Sequence, residues 1–272
     1  MSDLDEYLEF AKDLAAEAGR IMKHYYQLEE KGVQTKKDQS PVTLADTEIN
    51  SLVIKRVAAK YPSHGVLGEE ENFNLTSKHL WVVDPVDGTQ DFIDKIPNFN
   101  FSLAQVVEGE LAVGVVYNPI AERMFYASAG SGAYENGQRL QLSNAPPEII
   151  EIDAWLAGGI ENSVWRDPAT AVRANRLLNS DERVGKQTDL PVAYALAQVA
   201  SGDFDAFLST IKTPWDVAAG SLIASEAGAR ITDLFGAVVP RWDKDVSGIL
   251  AASPEVHQYL LSLLAPALKD SR

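Results

Sequence analysis

The side chains best suited to chemistry in this chain are carboxylates, and they come in short groups behind apolar runs. Trp81-Val82-Val83 leads directly into Asp84-Pro85-Val86-Asp87-Gly88-Thr89. An apolar run ending in an aspartate reads as a buried strand emerging into a loop. Pro85 has no N–H to donate and a φ fixed at about −65°, so strand pairing should stop there. Asp84 and Asp87, on either side of the turn, can then aim both carboxylates into one cavity. Gly88 admits close backbone approach, and Thr89 adds a hydroxyl beside backbone N–H groups. Two hard oxygen anions next to a cradle of donors suit a divalent cation and a phosphate together. On its own, an Asp-Pro turn is ordinary loop chemistry.

Three other acidic segments change that balance. Gly65-Val66-Leu67-Gly68 is a short apolar strand that delivers Glu69, Glu70 and Glu71 at its end. An acidic triplet alone is a solvated turn, but the strand before it holds at least one of these glutamates in a fixed place. Thr213-Pro214-Trp215-Asp216 opens a helix of small residues that includes Ala218, Ala219 and Ala227. Taken alone, Asp216 would be an N-cap worth about 1 kcal/mol. Thr43 and Asp46 have the spacing of a capping box, which is compatible with a carboxylate that also faces a metal site through water.

The elements that must position these groups follow from periodicity. Leu4, Leu8, Ala11, Leu14, Ala15, Ala18, Ile21, Met22 and Tyr25 predict a long amphipathic helix over 4–26, ended by Lys31-Gly32. A polar loop from Lys36 feeds a second helix with Ile49, Leu52, Val53 and Val57 on one stripe. Residues 101–107 and 111–117 read as strands joined by Glu108-Gly109-Glu110, and 124–127 with 132–134 as another pair. Asn136-Gly137 is a type I′ turn into 139–142. Asn144-Ala145-Pro146-Pro147 is a Pro-rich break. Beyond it lie helices over 168–178 and 191–200, strands near Ile149-Ile150, Val184 and 204–208, and a last helix from Pro254 to near Leu264. Two blocks, 1–145 and 146–272, are expected to act as one compact unit with the site between them, the first carrying most of the carboxylates.

Composition narrows the partners. A chain of 272 residues with 46% hydrophobic content can bury a large core. Its formal charge of −15 repels nucleic acid and anionic membrane, while a small anionic substrate, such as a phosphorylated metabolite, stays compatible where metal ions neutralise the site locally. There is no cysteine, which removes disulfides and thiol catalysis and fits a reducing compartment. The acidic start, Met1 to Glu6, has no apolar signal core, and no run reaches the roughly 18 apolar residues of a membrane span. A cytoplasmic location is expected.

In their order along the chain, Ser40-Pro41-Val42-Thr43-Leu44-Ala45-Asp46, Gly68-Glu69-Glu70, Asp84-Pro85-Val86-Asp87-Gly88-Thr89 and Trp215-Asp216-Val217-Ala218-Ala219-Gly220 resemble the inositol monophosphatase family. That family belongs to the lithium-sensitive, Mg²⁺-dependent sugar-phosphatases, and the resemblance covers essentially the whole chain. It implies a layered αβαβα sandwich of the α/β class. It also implies that Glu69, Asp84, the Val86 carbonyl, Asp87 and Asp216 ligate two or three Mg²⁺ ions, with Asp84 bridging. Asp46 and Thr89, together with Glu69, would orient the attacking water, and Asp87, Gly88, Thr89 and Gln90 would meet the substrate. A homodimer is implied as well. None of the four histidines, His24, His64, His79 and His257, lies in a matching segment, so no histidine base is called for.

The substrate-side residues depart from the inositol pattern. Ser209 stands where inositol phosphatases usually carry a glutamate, seven residues before the Trp-Asp aspartate. Leu190-Pro191-Val192 replaces their Gly-Ser-Ala segment, and Gln90-Asp91 replaces Thr-Asn. Asp91, Asp189 and Lys212 are further candidates for substrate contact. Inositol monophosphate is the expected substrate, with histidinol phosphate and 3′-phosphoadenosine 5′-phosphate as alternatives. A catalytically silent binding module is the non-enzyme alternative, and retention of Glu69, Asp84, Asp87 and Asp216 argues against it.

Overall fold

The computed structural model describes residues 3–29, 31–36, 40–143, 147–156, 163–165, 167–188 and 190–268, with the side chains of 186–188 left aside. Asp189 and the Asn144–Pro146 part of the expected break lie outside these residues. In chain order the elements are α1 (Asp3–Gln27), β1 (Gln34–Thr35), β2 (Pro41–Val42), α2 (Leu44–Lys60), β3 (Gly65–Gly68), β4 (His79–Asp87), α3 (Thr89–Ile93), β5 (Asn100–Val107), β6 (Glu110–Asn118), β7 (Arg123–Ser128), β8 (Gly132–Glu135) and β9 (Gln138–Leu140). There follow β10 (Ile150–Trp155), α4 (Pro168–Ser180), β11 (Val184–Thr188), α5 (Val192–Ser201), β12 (Ala206–Ser209), α6 (Pro214–Glu226), β13 (Arg230–Thr232), β14 (Ile249–Ala252) and α7 (Pro254–Leu268).

β3 to β9 form a seven-stranded sheet in sequence order, with β3 parallel to β4 and the remaining pairs antiparallel. A five-stranded mixed sheet runs β11-β10-β12-β14-β13. Strand alternation sorts the side chains into layers. In β4, Trp81 and Val83 pack with α1 and α2, whereas Leu80 and Val82 pack with α5 and α6. In β12 and β14, Phe207, Ile249 and Ala251 join that same α5–α6 layer, while Leu208, Leu250 and Ala252 face α4 and α7. The result is helices, sheet, helices, sheet, helices: the αβαβα sandwich.

Three details differ from the sequence reading. Pro85 does not stop the ladder. β4 pairs with β5 through Asp84↔Ser102, slips, and pairs again at Asp87↔Asn100. A proline that lacks the donor is accommodated at a bulge, and the bulge re-aims the side chains that follow it. Asp216 is not the N-cap of α6. Thr213 holds that position with extended backbone and Pro214 opens the first turn, so Asp216 is the third residue of that turn. The last helix also runs on to Leu268, with Pro266 inside it.

Candidate metal centre

The site grows from the bulged end of β4. Asp84 shares the face of Leu80 and Val82, so it points toward the α5–α6 layer. Its Oδ1 accepts the Val86 N–H at 3.0 Å, which closes the Pro85 turn. Gly88 follows at φ +87°, in the left-handed region, and a Cβ there would lie 2.5 Å from Pro191 Cγ. This position therefore requires glycine for two reasons, backbone conformation and space.

Asp87 is held from three directions. Its Oδ2 accepts Asn100 Nδ2 at 2.8 Å and the Ala193 N–H at 2.9 Å, and the Tyr194 N–H also bonds to its carboxylate. Ala193 and Tyr194 lie in the first turn of α5, whose end N–H groups need acceptors, so Asp87 serves that terminus. α6 brings the third carboxylate: Thr213 Oγ1 hydrogen-bonds Asp216 Oδ2, and Ser102 Oγ donates to the Trp215 carbonyl at 3.2 Å. α5 and α6 pack so closely at Gly220 that a Cβ there would lie 2.5 Å from Leu196 Cβ.

Asp84, Asp87 and Asp216 thus each offer a carboxylate oxygen, all within 4.8 Å of one another. Burial first, and then the charges of Glu69, Asp87 and Asp216, hold Asp84 well above the usual carboxylate range. Burial, with Asp87 and Glu69, does the same to Asp216. Burial also pushes Asp87 up to about 6, against the pull of Asn100 and Ala193. Crowded anions of this kind, all oxygen donors and desolvated, fit a hard divalent cation.

Glu69 is not part of that tight cluster. Its N–H continues the sheet to the Val83 carbonyl at 3.1 Å, while its Oε1 meets Lys36 Nζ at 2.6 Å. Lys36 Nζ also lies 2.5 Å from Glu70 Oε1. Burial would lower the Lys36 pKa, yet Glu69 and Glu70 hold it above its ordinary value. Burial pushes Glu70 up to about 7 although Lys36 pulls it down.

Asp46 is fully buried in the first turn of α2. Its Oδ2 accepts both the Thr43 N–H at 2.8 Å and Thr43 Oγ1 at 2.5 Å, the expected capping box. Its Oδ1 lies 3.3 Å from Thr89 Oγ1, which is also 3.0 Å from the Val86 carbonyl. Thr89 has a single hydroxyl proton and can serve only one of these acceptors at a time. Burial raises Asp46 to about 6.

Residues 3–271 match the model of the inositol monophosphatase family. The chain belongs to the inositol monophosphatase family. It is a phosphatase of that superfamily, a phosphomonoesterase. Inositol monophosphatase 2 of Solanum lycopersicum is 33% identical, the match covering 86% of this chain and 89% of that one. A histidinol-phosphatase of Chlorobaculum parvum is 30% identical over 97% of this chain and 98% of its own. An IMPase structure from Thermotoga maritima superposes with a TM-score of 0.82 at 27% identity, covering 98% of this chain and 100% of that one.

Within the family frame, the other expected contacts are dispersed. Gln90 Nε2 donates along α3 to Asp94 Oδ2 at 2.8 Å. Lys212 stands 3.8 Å from Asp245, and Asp91 is half-buried. Ser209 is fully buried, with its Oγ accepting the Ile211 N–H at 3.1 Å. Sequence reasoning missed Asn100, the α5 amides and the Lys36–Glu70 pair. Each meets the site across a long sequence separation, and none carries a local signal.

Proposed function

We propose that this chain hydrolyses a small phosphomonoester at the site built by Glu69, Asp84, Asp87 and Asp216, with inositol monophosphate as the preferred substrate. The observation that carries the reading is the trio of carboxylates within 4.8 Å, Asp84 and Asp87 buried and Asp216 half-buried, all raised above their ordinary range. Glu69, Asp84, the Val86 carbonyl, Asp87 and Asp216 are the donors that would hold two or three Mg²⁺ ions. When bound, Mg²⁺ would supply positive charge for the phosphate and lower the pKa of water at neutral pH.

The chain's own groups do the positioning. Asp46 Oδ1 takes the Thr89 hydroxyl proton in a hydrogen bond, which frees the Val86 carbonyl to turn to a cation and leaves a lone pair on Thr89 Oγ1. That lone pair, with Glu69, accepts from the attacking water and orients it. Asn100 and the α5 amides keep Asp87 in one rotamer, so its free oxygen needs no reorganisation. The N–H groups of Gly88, Thr89 and Gln90 serve the phosphate oxygens.

A second substrate, histidinol phosphate, is favoured by the buried Ser209, whose hydroxyl is committed to Ile211 and which brings no carboxylate to a polyol. The similarity to a histidinol-phosphatase agrees with it. The deciding experiment is a phosphate-release screen over inositol monophosphate, histidinol phosphate and 3′-phosphoadenosine 5′-phosphate, with Mg²⁺ and with excess chelator. Activity on inositol monophosphate that vanishes in chelator supports the reading; full activity in chelator refutes it. We place the enzyme in the cytoplasm as a homodimer, the second point being open to sedimentation analysis. Among the described residues no helix is long and apolar enough to cross a membrane.

A further inference from the structure

We propose that Lys36, steadied by Glu70, is a tethered cation that competes with the divalent ion for Glu69 and so sets how tightly the site loads. The inference rests on the reading of Glu69 as a metal ligand. Lys36 Nζ sits 2.6 Å from Glu69 Oε1 and 2.5 Å from Glu70 Oε1. The three side chains are only 19%, 22% and 11% exposed, so water screens the pairs weakly. Among the described residues, no other lysine or arginine forms an ion pair with Asp46, Glu69, Glu70, Asp84, Asp87 or Asp216.

The lysine arrives on a built arm. β1 pairs with β2, the Lys36 N–H bonds the Ser40 carbonyl at 2.8 Å, and β2 leads through Thr43 into the turn of α2 that carries Asp46. A cation fixed to such an arm is present at constant effective concentration, whatever the concentration of free metal. A divalent ion drawing on Glu69 must work against the neighbouring ammonium. Glu70, which the donor set of the proposed metal site does not include, gives that ammonium a second acceptor. Lys36 can therefore yield Glu69 without becoming a buried, unpaired charge. Glu70 is thus a positioning residue that makes loading easier.

The two partners should then move metal affinity in opposite directions, which an ordinary structural ion pair would not do. Mn²⁺ titration of the full chain without substrate, following free Mn²⁺ by electron paramagnetic resonance, reads the Kd directly. Lys36→Gln should bind Mn²⁺ about tenfold more tightly, Glu70→Gln about tenfold more weakly, and Lys36→Arg close to wild type. In the Lys36→Gln background the Glu70→Gln effect should disappear. Melting in chelator checks that each variant folds, and if Lys36→Gln does not, an unchanged Kd in Glu70→Gln alone overturns the proposal. Unchanged or weaker binding by Lys36→Gln overturns it too, as does a Glu70→Gln loss that persists without Lys36. Wild type that binds no Mn²⁺ overturns the ligand reading beneath it.

Discussion

Asp84 sits in direct electrostatic conflict with its neighbours in the site. It is buried and faces Glu69, Asp87 and Asp216, which is why its pKa stands well above the usual range. Ionised at neutral pH without metal, it destabilises the fold. Asp84→Asn should therefore melt at the same temperature as wild type in chelator, or higher. It should lose most of the stabilisation by Mg²⁺, which for one site is about 2.7 kcal/mol at a hundredfold excess over Kd. Paired melting curves with and without Mg²⁺ test this; full Mg²⁺ stabilisation in the variant would rule out a ligand role. Asp216 calls for a different expectation. In the first turn of α6, with Thr213 as the cap, its carboxylate contributes at most about 0.3–1 kcal/mol through the helix dipole. Asp216→Asn should fold nearly normally while turnover falls by orders of magnitude, so a stability defect with normal turnover would refute its part in the site.

At the level of elements, the turn between β4 and α3 and the aromatic stack around His64 at the other end of β4 each make a prediction. Gly88→Ala forces a Cβ into the left-handed region against Pro191, so it should cost about 1–3 kcal/mol and shift the start of α5 along with Asp87. Chemical denaturation measures the cost, and an alanine variant as stable as wild type would mean that the turn relaxes. The other end of β4 is held by His64, whose Nδ1 accepts the Trp81 indole N–H at 3.3 Å between the rings of Tyr61 and His79. Burial, with the neighbouring His79, lowers its pKa to about 4. The unfolded chain, with a pKa near 6.5 for this group, binds the proton first. His64 therefore contributes stability that is present above about pH 6.5 and lost as pH falls toward 4. In saturating Mg²⁺, His64→Phe should flatten the fall in melting temperature across that window. An unchanged slope would show that the imidazole takes up its proton alike in the folded and unfolded states.

Across the whole molecule, acid and the proposed metal would act on one cluster of carboxylates. Asp46 and Asp87 at about 6 and Glu70 at about 7 have folded pKa values above those of the unfolded chain. Their contribution to the metal-free fold is thus present below about pH 4 and lost as pH rises through 6 to 7. At the proposed site Mg²⁺ would need Asp87 ionised and would favour ionised neighbours, so binding would release protons. The stabilisation given by a fixed Mg²⁺ concentration should therefore grow steadily from pH 5 to pH 8. Calorimetric melting at several pH values checks it, and a flat difference would separate the metal from these groups. The architecture explains why the effect is global. The carboxylates stand at the ends of β3, β4, α2 and α6, and α6 belongs to the helical layer packed between both sheets.

How far the chain could be read without coordinates follows from where each signal resides. Asp84, Asp87 and Thr89 lie within one short segment, and the capping box of Thr43 with Asp46 is local, so spacing alone exposed both. The alternation that gives β5 to β9, and the type I′ turn at Asn136-Gly137, are likewise short-range. Pro85 misled because a missing donor predicts a strand end equally well as a bulge, and only the partner strand decides which. Asp216 could be placed at a helix start but not at a position within the first turn, since Thr213 and Pro214 compete for the cap. Tertiary structure alone brought Asn100 and the α5 amides to Asp87, and Lys36 to Glu69 and Glu70. Those contacts depend on which strand lies beside which and how closely helices approach, and such long-range geometry leaves no periodicity in the residues that make it.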